Sequence, residues 1–299
     1  MRIAGRLAAV AVAAAMILAA AVTAPAARAA APGAKAAGAA SAPPGIWSHY
    51  AELANAATGA NLWSRSSTVE RPMGSVTKVM TAYVVLTTPG LNLNRVITVP
   101  GGITAYDAGG ASTAGLRPGE RLTARQLLFA MMLPSGCDAA YTLASAYGPG
   151  LTAFVARMNA TARQLGLGRT HFTDPSGLPY PGPYSTYSTA HDLIALGIDA
   201  MRNKSFAAVV ATRQYNVAAG TGHLGHAWKN LNPLLGQFPG AAGVKTGYTP
   251  AAGQCLLFAV KRGGTTLIGV VLDSSGYNSP TLAAAASDAV TLLNWGLRR

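Results

Sequence analysis

Carboxylates are scarce in this chain. Against 23 lysines and arginines its 299 residues include only 10 aspartates and glutamates, a formal charge of +13. Those ten acids are scattered, and no D-x-D-x-D-G run occurs, which argues against an acid-rich cation site. Cysteine is nearly absent too. Cys137 and Cys255 cannot build a disulfide scaffold and are too few for a cysteine-based zinc site. Whether they pair is not readable from sequence, because a disulfide depends on Cα separation; free thiols are expected. Charged residues make up 11% of the chain and hydrophobic ones 50%, a balance that excludes intrinsic disorder. No segment after residue 22 is apolar for long enough to span a bilayer. The basic residues are not clustered with aromatics, so a nucleic-acid partner is not expected. His223-Leu224-Gly225-His226 has a spacing that suits a metal, but with no third ligand nearby it reads as a solvated loop. No metal and no cofactor is implied.

What is present begins with an N-terminal pattern. Arg2 and Arg6 precede an apolar run from Leu7 to Val22, and Ala27-Arg28-Ala29 has small residues at both cleavage positions. That order reads as a secretory signal peptide over residues 1–29. A membrane anchor is the alternative, but the run is shorter than the roughly 18 residues a spanning helix needs and is mostly alanine. Residues 30–44, nearly all Ala, Gly, Pro and Ser, read as a linker. Loss of Arg2, Arg6 and Arg28 with the signal removes three positive charges and no acid, so the exported protein stays strongly basic. Outside the membrane such a protein is drawn to anionic wall polymers and lipid headgroups.

The expected domain covers residues 45–299. Tyr50, Leu53 and Asn61-Leu62-Trp63 around Thr58-Gly59 predict a strand hairpin. Ser75 to Thr87 lacks Gly and Pro and has apolar residues at helical spacing. Further helices are predicted at 124–133, 137–146, 151–165 and 189–201, the last with Ser188 as a plausible N-cap. Gln254–Val260 and Thr265–Leu272 are apolar strands joined by Arg262-Gly263-Gly264, and Thr281 to Leu297 reads as a closing helix. Strands at both ends with a helical block at about 103–212 predict an α+β fold, its terminal segments sharing one sheet.

Three short motifs carry chemistry. Ser75-Val76-Thr77-Lys78 places a hydroxyl and an amine just under one helical turn apart, on one face. A serine needs a neighbouring base to become nucleophilic, and lysine serves only when its pKa is depressed. About 0.3 such matches arise by chance from this composition, so an ordinary helix start with a capping serine and a solvated lysine stays open. Lys245-Thr246-Gly247 is rarer, at about 0.06 chance triplets. Lysine and threonine can hold a substrate carboxylate, and glycine lets a ligand approach the backbone. Between the two lies Pro134-Ser135-Gly136-Cys137, where Ser135 could relay a proton or merely cap the next helix.

The order S-x-x-K, Ser-Gly-Cys, K-T-G resembles the penicillin-recognising serine enzymes, and in particular the low-molecular-mass D-alanyl-D-alanine carboxypeptidases. Supporting stretches are Arg71-Pro72-Met73-Gly74-Ser75, Gly115-Leu116-Arg117-Pro118-Gly119-Glu120, Asp174-Pro175-Ser176-Gly177-Leu178, Ser188-Thr189-Ala190-His191-Asp192-Leu193, Asn230-Leu231-Asn232-Pro233-Leu234-Leu235 and Gly243-Val244-Lys245-Thr246-Gly247-Tyr248-Thr249. The resemblance implies a penicillin-binding-protein/β-lactamase-like fold, an antiparallel sheet flanked by helices with an all-helical insert. It implies Ser75 as the acyl-forming nucleophile, Lys78 as its base and Ser135 as the proton relay. Lys245, Thr246 and Gly247 would hold the substrate, and the backbone N–H groups of Ser75 and Tyr248 would form the oxyanion hole. The implied substrates are peptidoglycan stem peptides ending in D-Ala-D-Ala, with β-lactams as covalent inhibitors. One departure is Cys137, where the family usually has asparagine; similar Ser-Gly-Cys variants occur in an actinobacterial DD-transpeptidase branch. A thiol holds a substrate amide less firmly than asparagine, and Lys78 and Lys245 nearby would make it reactive. Both a carboxypeptidase and a transpeptidase fit. A class A β-lactamase fits less well, since it needs a glutamate after the second motif and this chain has glutamate only at 52, 70 and 120. A non-catalytic penicillin-binding protein could tolerate loss of Ser75 or Lys78, and neither is lost.

Overall fold

Five strands from the two ends of the chain meet in one antiparallel sheet. The computed structural model describes residues 42–105, 111–274 and 282–299, and Ala42–Arg299 clusters as one compact unit. The predicted signal peptide, and the linker up to residue 41, lie outside the described residues. Strand β1 (Tyr50–Asn55) forms the predicted hairpin with β2 (Asn61–Arg65). Strands β7 (Ala241–Thr249), β8 (Gly253–Arg262) and β9 (Thr265–Leu272) complete the sheet in the order β2-β1-β9-β8-β7. The ends join where β1 pairs with β9, Glu52 opposite Val270.

Strand β8 reads as a continuous apolar run because both of its faces are covered. Side chains alternate across a sheet, so Leu256, Phe258 and Val260 pack with Ala285, Ala289, Leu292 and Leu293 of the C-terminal helix. The intervening Leu257 and Ala259 join the second and larger core, with the helical block. Burying each such large side chain contributes about 1.5–3 kcal/mol. Strand β7 is an edge strand, and its outer margin is where the motif residues lie.

The helical block centres on α1 (Lys78–Leu86), which is buried along all but one of its positions and is entered through a 3₁₀ turn at Gly74–Thr77. Around it pack α2 (Ala124–Met132), α3 (Cys137–Tyr147), α4 (Leu151–Gln164), α5 (Ala190–Arg202) and α6 (Lys204–Ala211). Helix α7 (Ala283–Gly296) covers the other face of the sheet. Thr123 and Gln126 close α2 with a reciprocal capping box. The cap of α5 is Thr189 rather than Ser188: the Thr189 hydroxyl accepts the Asp192 N–H at 3.0 Å, while Ser188 is committed to a backbone bridge with Arg71. Asp192 lies in the first turn, where its charge suits the helix dipole, and accepts from Arg169 N and Thr170 Oγ1.

Two short ribbons complete the block: β3 (Val96–Thr98) with β4 (Arg121–Thr123), and β5 (Gln214–Val217) with β6 (His226–Lys229). The second ribbon corrects the reading of the histidine pair as a solvated loop. His226 lies on β6 with its side chain buried, Nε2 2.9 Å from Glu120 Oε2 and its ring stacked on Trp228. The carboxylate of Glu120, the residue before β4, takes it out of solvent, which local spacing does not reveal.

Candidate active site

The three motifs converge where the N-terminal end of α1 abuts β7. Lys78 Nζ lies 2.9 Å from Ser75 Oγ. It also lies 2.9 Å from the Ser176 carbonyl and 3.4 Å from Cys137 Sγ. Among the described residues no carboxylate lies within ion-pair distance of it. The Ser176 carbonyl is aimed by Asp174, whose Oδ1 accepts from the backbone N–H groups of Ser176, Gly177 and Leu178. This loop is the Asp-Pro-Ser-Gly-Leu stretch. Its part in holding Lys78 was not legible in the sequence, because a carbonyl contact leaves no residue-type signal.

An open cleft of about 170 Å³ is lined by Ser75, Ser112, Ser135, Thr246, Gly247 and Tyr248, with Leu231 and Leu282 at its margin. Ser135 does not cap α3, whose N-cap is Gly136 with no side-chain bond. Instead its backbone is left-handed at φ 66°, and its buried Oγ has no hydrogen-bond partner among the described residues. A non-glycine residue held there costs of order 1–3 kcal/mol, and such strain clusters at functional sites. The hydroxyl is thereby left free in the cleft.

Three of the expected site residues lie beneath this lining rather than on it. Lys78, Lys245 and Cys137 are 0%, 1% and 2% exposed. Lys245 Nζ contacts Thr246 O at 3.0 Å and Thr246 Oγ1 at 3.3 Å, so Thr246 stands between the amine and the cleft. Burial, and secondarily the positive charge of Lys78, push the Lys245 ammonium well below the ordinary lysine range. Cys137 is a free thiol, and so is Cys255, whose burial pushes it up to about 12.

Gly247 answers to a packing need. A Cβ there would lie 2.3 Å from Met73 O and 3.0 Å from Val76 Cγ2, so the edge strand can approach the 3₁₀ turn only without a side chain. The same approach brings the Tyr248 amide against Gly74, beside Ser75. Ser112, whose carbonyl accepts the Cys137 N–H at 2.8 Å, and Leu231 are cleft residues that sequence reasoning did not single out. Leu231 falls in one of the stretches that carry the family resemblance, but nothing in that stretch marks it as a cleft residue.

A family model described as D-alanyl-D-alanine carboxypeptidase matches residues 37–276, a span containing all three motifs. The chain belongs to the D-alanyl-D-alanine carboxypeptidase family. A D-alanyl-D-alanine carboxypeptidase of Streptomyces sp. (strain K15) is 42% identical over 253 residues, 81% of this chain and 84% of that protein. D-alanyl-D-alanine carboxypeptidase DacB2 of Mycobacterium tuberculosis is 38% identical, over 82% of this chain and 80% of that protein. The crystal structure of the Streptomyces K15 DD-transpeptidase matches with a TM-score of 0.81 at 40% identity, over 87% of this chain and all of that one. The fold is therefore that of the DD-peptidases, an antiparallel sheet carrying a helical block, and this family member is an enzyme of that class.

Proposed function

We propose that the chain is a serine D-Ala-D-Ala carboxypeptidase of peptidoglycan stem peptides, working through an acyl-enzyme on Ser75. The observation that carries the reading is the 2.9 Å contact of Lys78 Nζ with Ser75 Oγ, in a cleft shared with Ser135 and Thr246. In its amine form Lys78 has a lone pair for the Ser75 hydroxyl proton and two N–H groups, which its other neighbours, the Ser176 carbonyl and Cys137 Sγ, can accept. Ser75 Oγ then attacks the carbonyl carbon between the two D-alanines. The N–H groups of Ser75 and Tyr248 stabilise the oxyanion, the largest electrostatic contribution in this kind of chemistry. As the C–N bond breaks, Ser135 Oγ passes the proton to the departing amine, and an ester to Ser75 remains. Water returns the carboxylic acid and restores Ser75.

Thr246 Oγ1 lines the cleft and accepts from Lys245 Nζ, which leaves its own O–H to donate to the substrate's terminal carboxylate. A β-lactam would acylate Ser75 in the same way, but its opened ring stays attached and nothing departs. Cys137 has its sulfur turned toward Lys78, so its contribution is to the surroundings of the base more than to the substrate surface.

An amine acceptor in place of water gives the second reading, a DD-transpeptidase, favoured by the likeness to the Streptomyces K15 structures that bear that name. Residues 1–29 would direct export to the wall, and the basic surface would favour anionic polymers there. Among the described residues no helix is long and apolar enough to cross a membrane. Incubation with a D-Ala-D-Ala peptide, with and without a glycine acceptor, tests the reading. Release of D-Ala is expected from the native protein and not from Ser75→Ala, and release that survives the substitution would refute it.

A further inference from the structure

Beside the catalytic cleft the fold carries a second and larger one, of about 860 Å³, between the β5–β6 ribbon and the loop after β6. The two share a wall: Leu231 lines the catalytic cleft, and Asn232, the next residue, lines the other. The second cleft contains two cations, Arg213 and Lys229, and no acid. Both are exposed, and among the described residues neither lies within ion-pair distance of a carboxylate. The amides of Gln214, Gln237 and Asn232 surround them.

Arg213 packs against the loop after β6. Arg213 accepts the Asn230 N–H on its carbonyl at 2.8 Å, and its guanidinium fills the space left by Gly236, where a Cβ would sit 2.8 Å from Cζ. Gln214 lies directly across the ribbon from Lys229. Asn232 is buried, its Oδ1 accepts from Leu234 N, and its Nδ2 has no partner among the described residues. An unpaired buried amide donor costs free energy unless something accepts from it.

We infer that this cleft is a subsite for a carboxylate-bearing peptide, a second acidic stem peptide of the polymer whose D-Ala-D-Ala end occupies the Ser75 cleft. The inference rests on the DD-peptidase reading for the identity of the polymer. The cations match carboxylates, the unpartnered Asn232 Nδ2 matches a peptide carbonyl, and the Gln237 amide, both donor and acceptor, matches a peptide group. A polyphosphate would be met by donors alone and would leave the amide carbonyl oxygens facing like charge. A peptide here would lie one loop segment away from the Ser75 cleft.

The probe is a stem-peptide fragment with free carboxylates and no D-Ala-D-Ala end, titrated by calorimetry into the full protein before and after Ser75 is acylated with penicillin. Saturable binding is expected in both states. It should weaken about tenfold or more in Arg213→Ala/Lys229→Ala, the loss typical of charge-assisted hydrogen bonds. The double variant should still take up penicillin at the native rate, which shows that it is folded. Binding lost on acylation would place the peptide in the Ser75 cleft and overturn the inference. So would an unchanged affinity in the double variant, equal affinity for the fully amidated fragment, or tighter binding of inorganic polyphosphate. Failure of the enzyme to be acylated at all would count against the DD-peptidase reading and leave the fragment titration on native protein to stand by itself.

Discussion

Gly247→Ala tests the link between strand packing and chemistry. The added Cβ would lie 2.3 Å from Met73 O, where ordinary contact begins at 3.4 Å, and 3.0 Å from Val76 Cγ2. The closest obstacle is backbone in the turn that carries Ser75, so no rotamer change removes it. Strand β7 must recede by about 1 Å, and the Tyr248 amide recedes with it. A misplacement of that size costs about 100-fold in a positioned reaction, and outright loss of one oxyanion donor about 10²–10³. The stability cost of overpacking is smaller, about 1–3 kcal/mol, and leaves most of the protein folded. The assay is the second-order rate of Ser75 acylation by a fluorescent penicillin, read beside the thermal melt. A fall of about 100-fold with a modest loss in melting temperature is expected. An acylation rate within a few-fold of native, in a folded variant, would refute the coupling of Gly247 to the oxyanion hole.

Penicillin should add its whole mass to the peptide containing Ser75, and Ser75→Ala should abolish both the adduct and D-Ala release; an adduct elsewhere in the chain would displace Ser75. The penicillin acyl-enzyme should persist, giving one penicillin consumed per chain with no steady turnover: its opened ring stays where a departed D-Ala makes room for water, and no free carboxylate compensates, since Glu52 and Glu120 are paired with His191 and His226 and Asp174 Oδ1 is taken up by its own loop. Sustained turnover would show that another group activates water. Lys245 has a depressed folded pKa, so the unfolded chain binds more protons between that value and about 10.4, and stability should rise with pH through this window. Lys245→Met should flatten the rise, and comparing the two proteins across pH cancels the titration of Cys255, which both carry; an unchanged slope would refute the depressed ammonium. Cys137, being buried, should react with a bulky maleimide only at the rate of unfolding, and rapid labelling of the native protein would contradict its placement beneath the cleft.

Composition and spacing were enough to establish that this is an α+β domain, to place a hairpin through Tyr50, Leu53 and Asn61-Leu62-Trp63 and strands at Gln254–Val260 and Thr265–Leu272, and to nominate Ser75, Lys78, Ser135 and Lys245. These are local or periodic signals: alternation along a strand, helical spacing, motif order. The short helix α6 was missed, although Asn203 caps it through the Ser205 and Phe206 N–H groups, because eight residues give too few turns for a clear period. Only the tertiary structure decided depth. Local sequence could not show that Lys245 and Cys137 lie under the cleft lining, or that Gly247 is required by Met73, some 170 positions earlier. Nor could it show that His226 leaves solvent for Glu120, or that the Ser176 carbonyl holds the base. Each of these depends on a second segment arriving from far along the chain, and burial, carbonyl contacts and charge pairing exist only once it has arrived.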